Sequence, residues 1–175
     1  MSVMTQPPKL FDAALIRRRR ARAAPGFADA AFLHHEAARR LIERLDDLTR
    51  QFPRIALIGD GVTLAEALRG RDGVETVLTL DPSAALAAKA APPAVVAAPD
   101  AVPLADGAYD AVISLLLLHS IDDIPGALAQ LRRALKPDGL FLAARRGGDS
   151  LSELRAAALS ADAAVMGGAS PRVAP

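Results

Sequence analysis

The chain has 175 residues, 51% apolar and 23% charged, enough for one domain with a substantial core. It has no cysteine, which excludes disulfide scaffolds, iron–sulfur clusters, thiolate zinc sites and cysteine nucleophiles. Aromatics are only 3%, with no Trp, which argues against stacking platforms for single-stranded nucleic acid, and the net charge is a bare +1.

That charge hides an asymmetry. Residues 1–54 hold eleven Lys and Arg against six Asp and Glu, whereas the rest of the chain holds ten against fourteen. A basic N-terminal segment therefore precedes a mildly acidic body. No apolar run approaches the roughly 18 residues of a membrane span. The N-terminus also lacks the apolar centre of a secretory signal, so a cytoplasmic protein is expected.

Residues 1–9, with Pro7 and Pro8, read as a disordered lead. The segment 10–52 reads as two basic helices. Leu10 to Ala24 is the first, broken by Pro25-Gly26. In the second, Asp29 is a candidate N-cap, and Phe32, Leu33, Ala37, Leu41, Ile42, Leu45 and Leu48 recur at helical spacing until Pro53.

Over 53–166 the period changes. Strands are expected at Arg54–Ile58, Val74–Leu80, Ala94–Ala97, Tyr109–Leu115 and Leu140–Ala144. Helices are expected at Val62–Arg69, Ser83–Ala90, Ile124–Leu135 and Leu151–Val165, with a turn at Lys136–Gly139. Five apolar strands alternating with helices predict a doubly wound α/β domain with a parallel sheet. Residues 167–175 read as a loop.

In such a sheet, ligands lie beyond the carboxyl ends of the strands. The first strand–helix turn is Gly59-Asp60-Gly61-Val62-Thr63, where glycines would let the backbone approach a ligand. Asp81 ends the next strand, about 20 residues on, where a carboxylate can take both hydroxyls of a ribose. Together they point to an adenosine-containing ligand. The absence of Gly-Lys-Ser/Thr argues against a nucleoside triphosphate.

Three longer motifs follow: Val102-Pro-Leu-Ala-Asp-Gly-Ala-Tyr-Asp-Ala-Val-Ile-Ser114, then Leu118-His119, then Leu131-Arg-Arg-Ala-Leu-Lys-Pro-Asp-Gly139. With the glycine turn and Asp81 they resemble class I S-adenosylmethionine-dependent methyltransferases of the type 11 group. The flanks Leu10–Arg20, Gly147-Gly148-Asp149-Ser150-Leu151 and Gly167–Pro175 resemble the bacterial relatives of mitochondrial complex I assembly factor 5. Malonyl-carrier methyltransferases are expected to share the central motifs but not those flanks.

The resemblance implies strand order 3-2-1-4-5 and S-adenosylmethionine as cofactor. It implies Gly59, Asp60 and Gly61 at the methionine end, Asp81 and Pro82 at the ribose, Asp100 and Ala101 near the adenine, and Ser114 to His119 facing the methyl group. His119 is then the candidate general base. Three positions depart from the family pattern: Leu57 replaces an acidic residue, Thr63 a glycine whose place its β-carbon would crowd, and Ala98 an adenine-contacting Asp. Each lost charge-assisted contact is worth ~1.5–3 kcal/mol, so the departures predict weakened binding.

Two alternatives accompany methyl transfer. One is a complex I assembly-factor-like protein hydroxylating an arginine of a partner subunit; the other is a non-catalytic interaction protein on a decayed methyltransferase fold. A metal site is not expected, because His34 and His35 are adjacent and point to different helix faces, and His119-x-x-Asp122 lacks a third ligand. The cluster Arg17 to Arg20 with Arg22 reads as a solvated face or a dock for an acidic protein rather than nucleic acid. Gly147-Gly148-Asp149 is a turn with Asp149 as N-cap, or part of the substrate mouth. The class I fold ordinarily adds a C-terminal hairpin that is not visible here, so the fifth strand is expected to be an exposed edge, open to a partner or to self-association.

Overall fold

Alternation along β1 (Arg54–Ile58) sets the architecture, because successive side chains of a strand point to opposite faces. Ile55 and Leu57 pack with Leu41 and Leu45 of α3 (Phe32–Asp46) and with Leu64 and Leu68 of α4 (Leu64–Arg69). Ala56 and Ile58 pack on the other face with Leu131 and Ala134 of α6 (Ile124–Ala134). A strand buried on both faces needs apolar residues throughout, which is why Arg54–Ile58 shows no polar alternation. The computed structural model describes residues 9–168 and 170, so the expected lead lies outside the described residues except for residue 9, and the expected tail except for residues 167, 168 and 170.

The other strands are β2 (Thr76–Asp81), β3 (Ala94–Val96), β4 (Tyr109–Leu115) and β5 (Leu135–Ala144). The sheet is parallel throughout, in the expected order β3-β2-β1-β4-β5. The chain therefore reverses its winding between β1 and β4, where a crevice opens at the carboxyl ends of the strands. As expected, β5 is an edge, pairing with β4 alone among the described strands.

The expected turn at Lys136–Gly139 lies inside the span of β5. Tyr109 pairs with Leu135 and Ala111 with Leu140, so the four intervening residues bulge opposite Asp110, with Asp138 at φ +60°. Lys136 reaches Asp110 at 2.8 Å, and the same carboxylate accepts from Arg54 N at 2.9 Å. That pair ties the starts of three strands at the end of the sheet away from the crevice.

The N-terminal segment forms α1 (Ala13–Ala23), a single turn α2 (Phe27–Ala30) and α3. Asp12 caps α1, accepting from Ala14 N at 2.8 Å and Leu15 N at 3.0 Å. Asp29 is not the cap of the long helix; it lies within α2, and Ala31 stands at the start of α3. The buried stripe of α3 is Ala38, Leu41 and Leu45, whereas Phe32 is 80% exposed although it fits the helical period. Two of the segment's eleven basic residues are neutralised on this helix, Arg39 by Glu36 and Glu43 and Arg40 by Glu36.

The chain divides into two compact units, 1–145 and 146–175. In the second, α7 (Ser152–Met166) starts at Leu151, which has φ +61° and makes no side-chain cap. Asp149 therefore does not cap this helix. Ser150 Oγ instead accepts from Gly147 N at 3.0 Å.

Candidate functional site

The turn after β1 is built around Asp60, whose side chain is fully buried. Its Oδ1 accepts from Val62 N at 2.9 Å and Thr63 N at 2.8 Å, an Asx turn that starts α4. Its Oδ2 meets His34 Nδ1 of α3 at 2.6 Å, and Phe27 sets its ring edge against that imidazole. Burial pushes the Asp60 carboxyl up, but His34 and the Thr63 amide outweigh it and hold the carboxyl below its ordinary value.

The glycines here serve the fold. Gly59 has φ +103°, and a Cβ would stand 2.6 Å from Leu115 O and 2.8 Å from Leu117 Cβ. A Cβ on Gly61 would come within 2.7 Å of Ala90 Cβ and 2.9 Å of Thr79 Cβ. Both are needed for the turn to pack against its neighbours. The backbone at Thr63 does not itself require glycine, since its φ of −89° is open to any residue.

Asp81, at the end of β2, lies beside this turn. Its Oδ1 accepts from Ser83 N at 2.8 Å and from Arg20 Nε at 3.2 Å, and its Oδ2 accepts from Arg20 Nη2 at 2.5 Å. The same Nη2 donates to Gly59 O. Arg20 comes from α1, so the run of arginines is not simply a solvated face. Burial, together with the nearby Asp60 charge, pushes the Asp81 carboxyl up against the opposing pull of Arg20 and the Ser83 amide.

Pro82 is buried next to Asp81 and, with Ala98, Pro99 and Asp100, forms one wall of a cavity of about 70 Å3. The opposite wall is Phe11, Ala13, Ile16 and Arg17, with Ser120, Ile121 and Asp122 beyond. Ala101 is exposed beside Asp100, its N–H closing a turn to Ala98 O at 3.1 Å. Asp122 Oδ1 accepts from Leu10 N at 2.7 Å and Phe11 N at 3.1 Å, fastening the approach to α1 to the loop after β4.

Ser114, paired with Ile58 in register, is fully buried, and its Oγ has no hydrogen-bond partner among the described residues. His119 is half-buried on a single 3-10 turn, Leu118–Ser120, which carries it between Leu117 beneath Gly59 and Ser120 on the cavity wall. Among the described residues no three His, Asp or Glu gather as a metal site. Gly59, Asp60, Gly61 and Asp81 thus stand together at the carboxyl ends of β1 and β2, whereas Pro82 and Asp100 line the neighbouring cavity. Arg20 and His34 join the first group, though nothing in the local sequence marks which arginine of five, or which of two adjacent histidines, turns inward.

A nucleoside with an amino-acid tail fits this crevice unevenly. At the nucleoside end stand a buried carboxylate, Pro82 and the 98–100 wall. At the other end Leu57 is fully buried in the α3 core, and Asp60 is already committed to its own turn.

A parallel sheet wound 3-2-1-4-5, with a glycine turn after β1 and an acid ending β2, is the Rossmann-like pattern that class I methyltransferases share. Residues 58–143 match the methyltransferase domain family, and this region belongs to it. The malonyl-[acyl-carrier protein] O-methyltransferase of Xylella fastidiosa is 38% identical over 164 residues, covering 88% of this chain and 56% of that protein. The mitochondrial arginine-hydroxylase NDUFAF5 of Danio rerio is 33% identical over 150 residues, covering 82% of this chain and 46% of that protein. The chain spans about half the length of these curated relatives. The match to the malonyl enzyme extends beyond the central motifs along most of this chain. Among solved structures, the [4+2]-cyclase SpnF shares the fold with a TM-score of 0.63 at 19% identity, covering 78% of this chain and 62% of that one. Among the described residues no helix is long and apolar enough to cross a membrane.

Proposed function

We propose that this domain binds S-adenosylmethionine in the crevice between β1 and β4 and transfers its methyl group to an acceptor carried on a protein. The observation that carries the reading is Asp81, a buried carboxylate at the end of β2 beside the turn that ends β1. At that place a carboxylate accepts from two vicinal hydroxyls of a ribose. Pro82, Asp100 and Ala101 wall the adenine, and the Gly59–Gly61 turn lies beside the methionine end.

When bound, the cofactor supplies an electrophilic methyl group on a sulfonium, and its transfer needs alignment more than acid–base help. The chain's own residues then orient and exclude water. Ser114 offers a buried hydroxyl that can donate one hydrogen bond, and His119 on the rim can hold the proton that an acceptor loses. The relatives support a protein-borne acceptor, since the name of one places its substrate on an acyl-carrier protein. The outward arginines of α1 (Arg18, Arg19 and Arg22) are the surface for a protein partner.

Calorimetry with S-adenosylmethionine and S-adenosylhomocysteine tests the reading. Binding that Asp81→Ala abolishes supports it. No binding at millimolar ligand to the folded chain overturns it in favour of an interaction protein.

A further inference from the structure

Asp60 and Asp81 are both buried, but they are satisfied in different ways. Two of Asp60's three partners are amides of its own turn. Asp81 has one such amide, from Ser83, and otherwise depends on a guanidinium 61 residues away. Two ribose hydroxyls need both carboxylate oxygens, and Arg20 already donates to each of them and to Gly59 O. With Ser83 N and Arg20 filling three of the roughly four acceptor positions of a carboxylate, too few remain for both hydroxyls of a ribose while Arg20 stays in place.

The neighbouring cavity, which Pro82 lines and Asp81 does not, is narrow as well. The cavity between α1 and the Pro82, Ala98–Asp100 wall is about 70 Å3, whereas pockets for small ligands and cofactors run to roughly 300–1,000 Å3. Its outer wall is α1 itself, including Ala13, Ile16 and Arg17. No residue of α1 is buried. The helix is held by Arg20, by the Leu10 and Phe11 amides on exposed Asp122, and by packing beside α5 (Ala84–Ala87). An element with so little buried apolar surface opens at low cost.

We infer that α1 is a latch on the nucleoside end of the cleft, in which Arg20 occupies Asp81 in competition with the ribose, so that ligand binding requires its release. The inference rests on the S-adenosylmethionine reading of the crevice. Apparent affinity is then the intrinsic affinity reduced by the fraction of molecules with the latch open. Regulation follows from this, because anything that draws α1 outward, such as an acidic partner on Arg18, Arg19 and Arg22, raises affinity for the cofactor.

The test uses the full chain with S-adenosylhomocysteine as the probe in calorimetry, alongside amide hydrogen exchange over residues 13–23. Arg20→Ala is expected to bind about tenfold more tightly than the wild type. Asp122→Ala, which frees the other end of the latch and leaves Asp81 intact, should tighten binding by a smaller factor. Ligand should accelerate exchange across residues 13–23 in the wild type. Equal or weaker binding by both variants overturns the latch and makes Arg20 a positioning residue or a bystander. If no variant binds, the cofactor reading falls, and exchange without ligand still decides the contact. Faster exchange over residues 13–23 in Arg20→Ala upholds the Arg20–Asp81 restraint, and unchanged exchange removes it.

Discussion

The two acids of the crevice differ by origin. Asp60 is one residue into a turn whose amides it binds, so its environment forms as soon as the turn does. Asp81 ends a strand, and its compensation arrives only when α1 packs across the sheet. The pKa directions differ too: against burial, His34 and the Thr63 amide hold Asp60 below its ordinary value, whereas burial and the Asp60 charge push Asp81 above its own despite Arg20. A carboxylate satisfied by local backbone is part of the scaffold, whereas one satisfied by a distant side chain is exchangeable. Exchangeability is what a ligand site needs.

The largest expected effect lies in the turn both acids frame. Gly59→Ala forces a Cβ onto Leu115 O at a φ of +103° and should lower unfolding free energy by ~3 kcal/mol or more, read by urea titration. Next is Asp60→Ala, which strands the Val62 and Thr63 amides and His34, at a cost of ~2–3 kcal/mol. Arg20→Ala should cost less, ~1–2 kcal/mol, since water can reach Asp81 once α1 loosens. If Arg20→Ala proves more destabilising than Asp60→Ala, the contrast between scaffold and exchangeable acid fails.

Titration sharpens the same contrast. Asp60 has a lowered folded pKa, so its stabilisation is full above the unfolded value of ~3.9 and is lost as pH falls through the lower folded value. Asp81 has a raised folded pKa, so the sign reverses: its relative contribution is greatest at low pH and is lost as pH rises through the folded value. Carboxyl chemical shifts followed by NMR should therefore show Asp81 taking its proton at higher pH than Asp60. Smallest of all, Arg39→Ala on the exposed face of α3 should leave the thermal midpoint unchanged, because surface ion pairs contribute little.

The fold was legible because its signals are local. Apolar five- to seven-residue runs between turn residues mark β1, β2 and β4, and the resemblance supplied their order. The helix period on α3 was legible too, although it included Phe32 and Leu33, which the structure leaves exposed. Periodicity marks a stripe but not how far a neighbouring element covers it. Similarly, Lys136-Pro-Asp-Gly139 reads as a turn, but the sheet absorbs it as a bulge because β4 continues pairing on both sides.

At the site, sequence alone picked out Gly59, Asp60, Gly61 and Asp81, since each sits at a strand end that its spacing defines. It could not assign their partners. His34 and Arg20 lie in helices 26 and 61 residues from Asp60 and Asp81, and neighbouring residues of the same type look identical in the sequence. Which of them turns inward depends on how α1 and α3 rotate against the sheet. Packing of the α3 stripe sets that rotation for His34, and the unfilled Asp81 carboxylate draws in Arg20. Spacing along the chain thus determined where the buried charges stand, and only tertiary packing decided what neutralises them. A buried charge must find its counterpart in space, not in sequence.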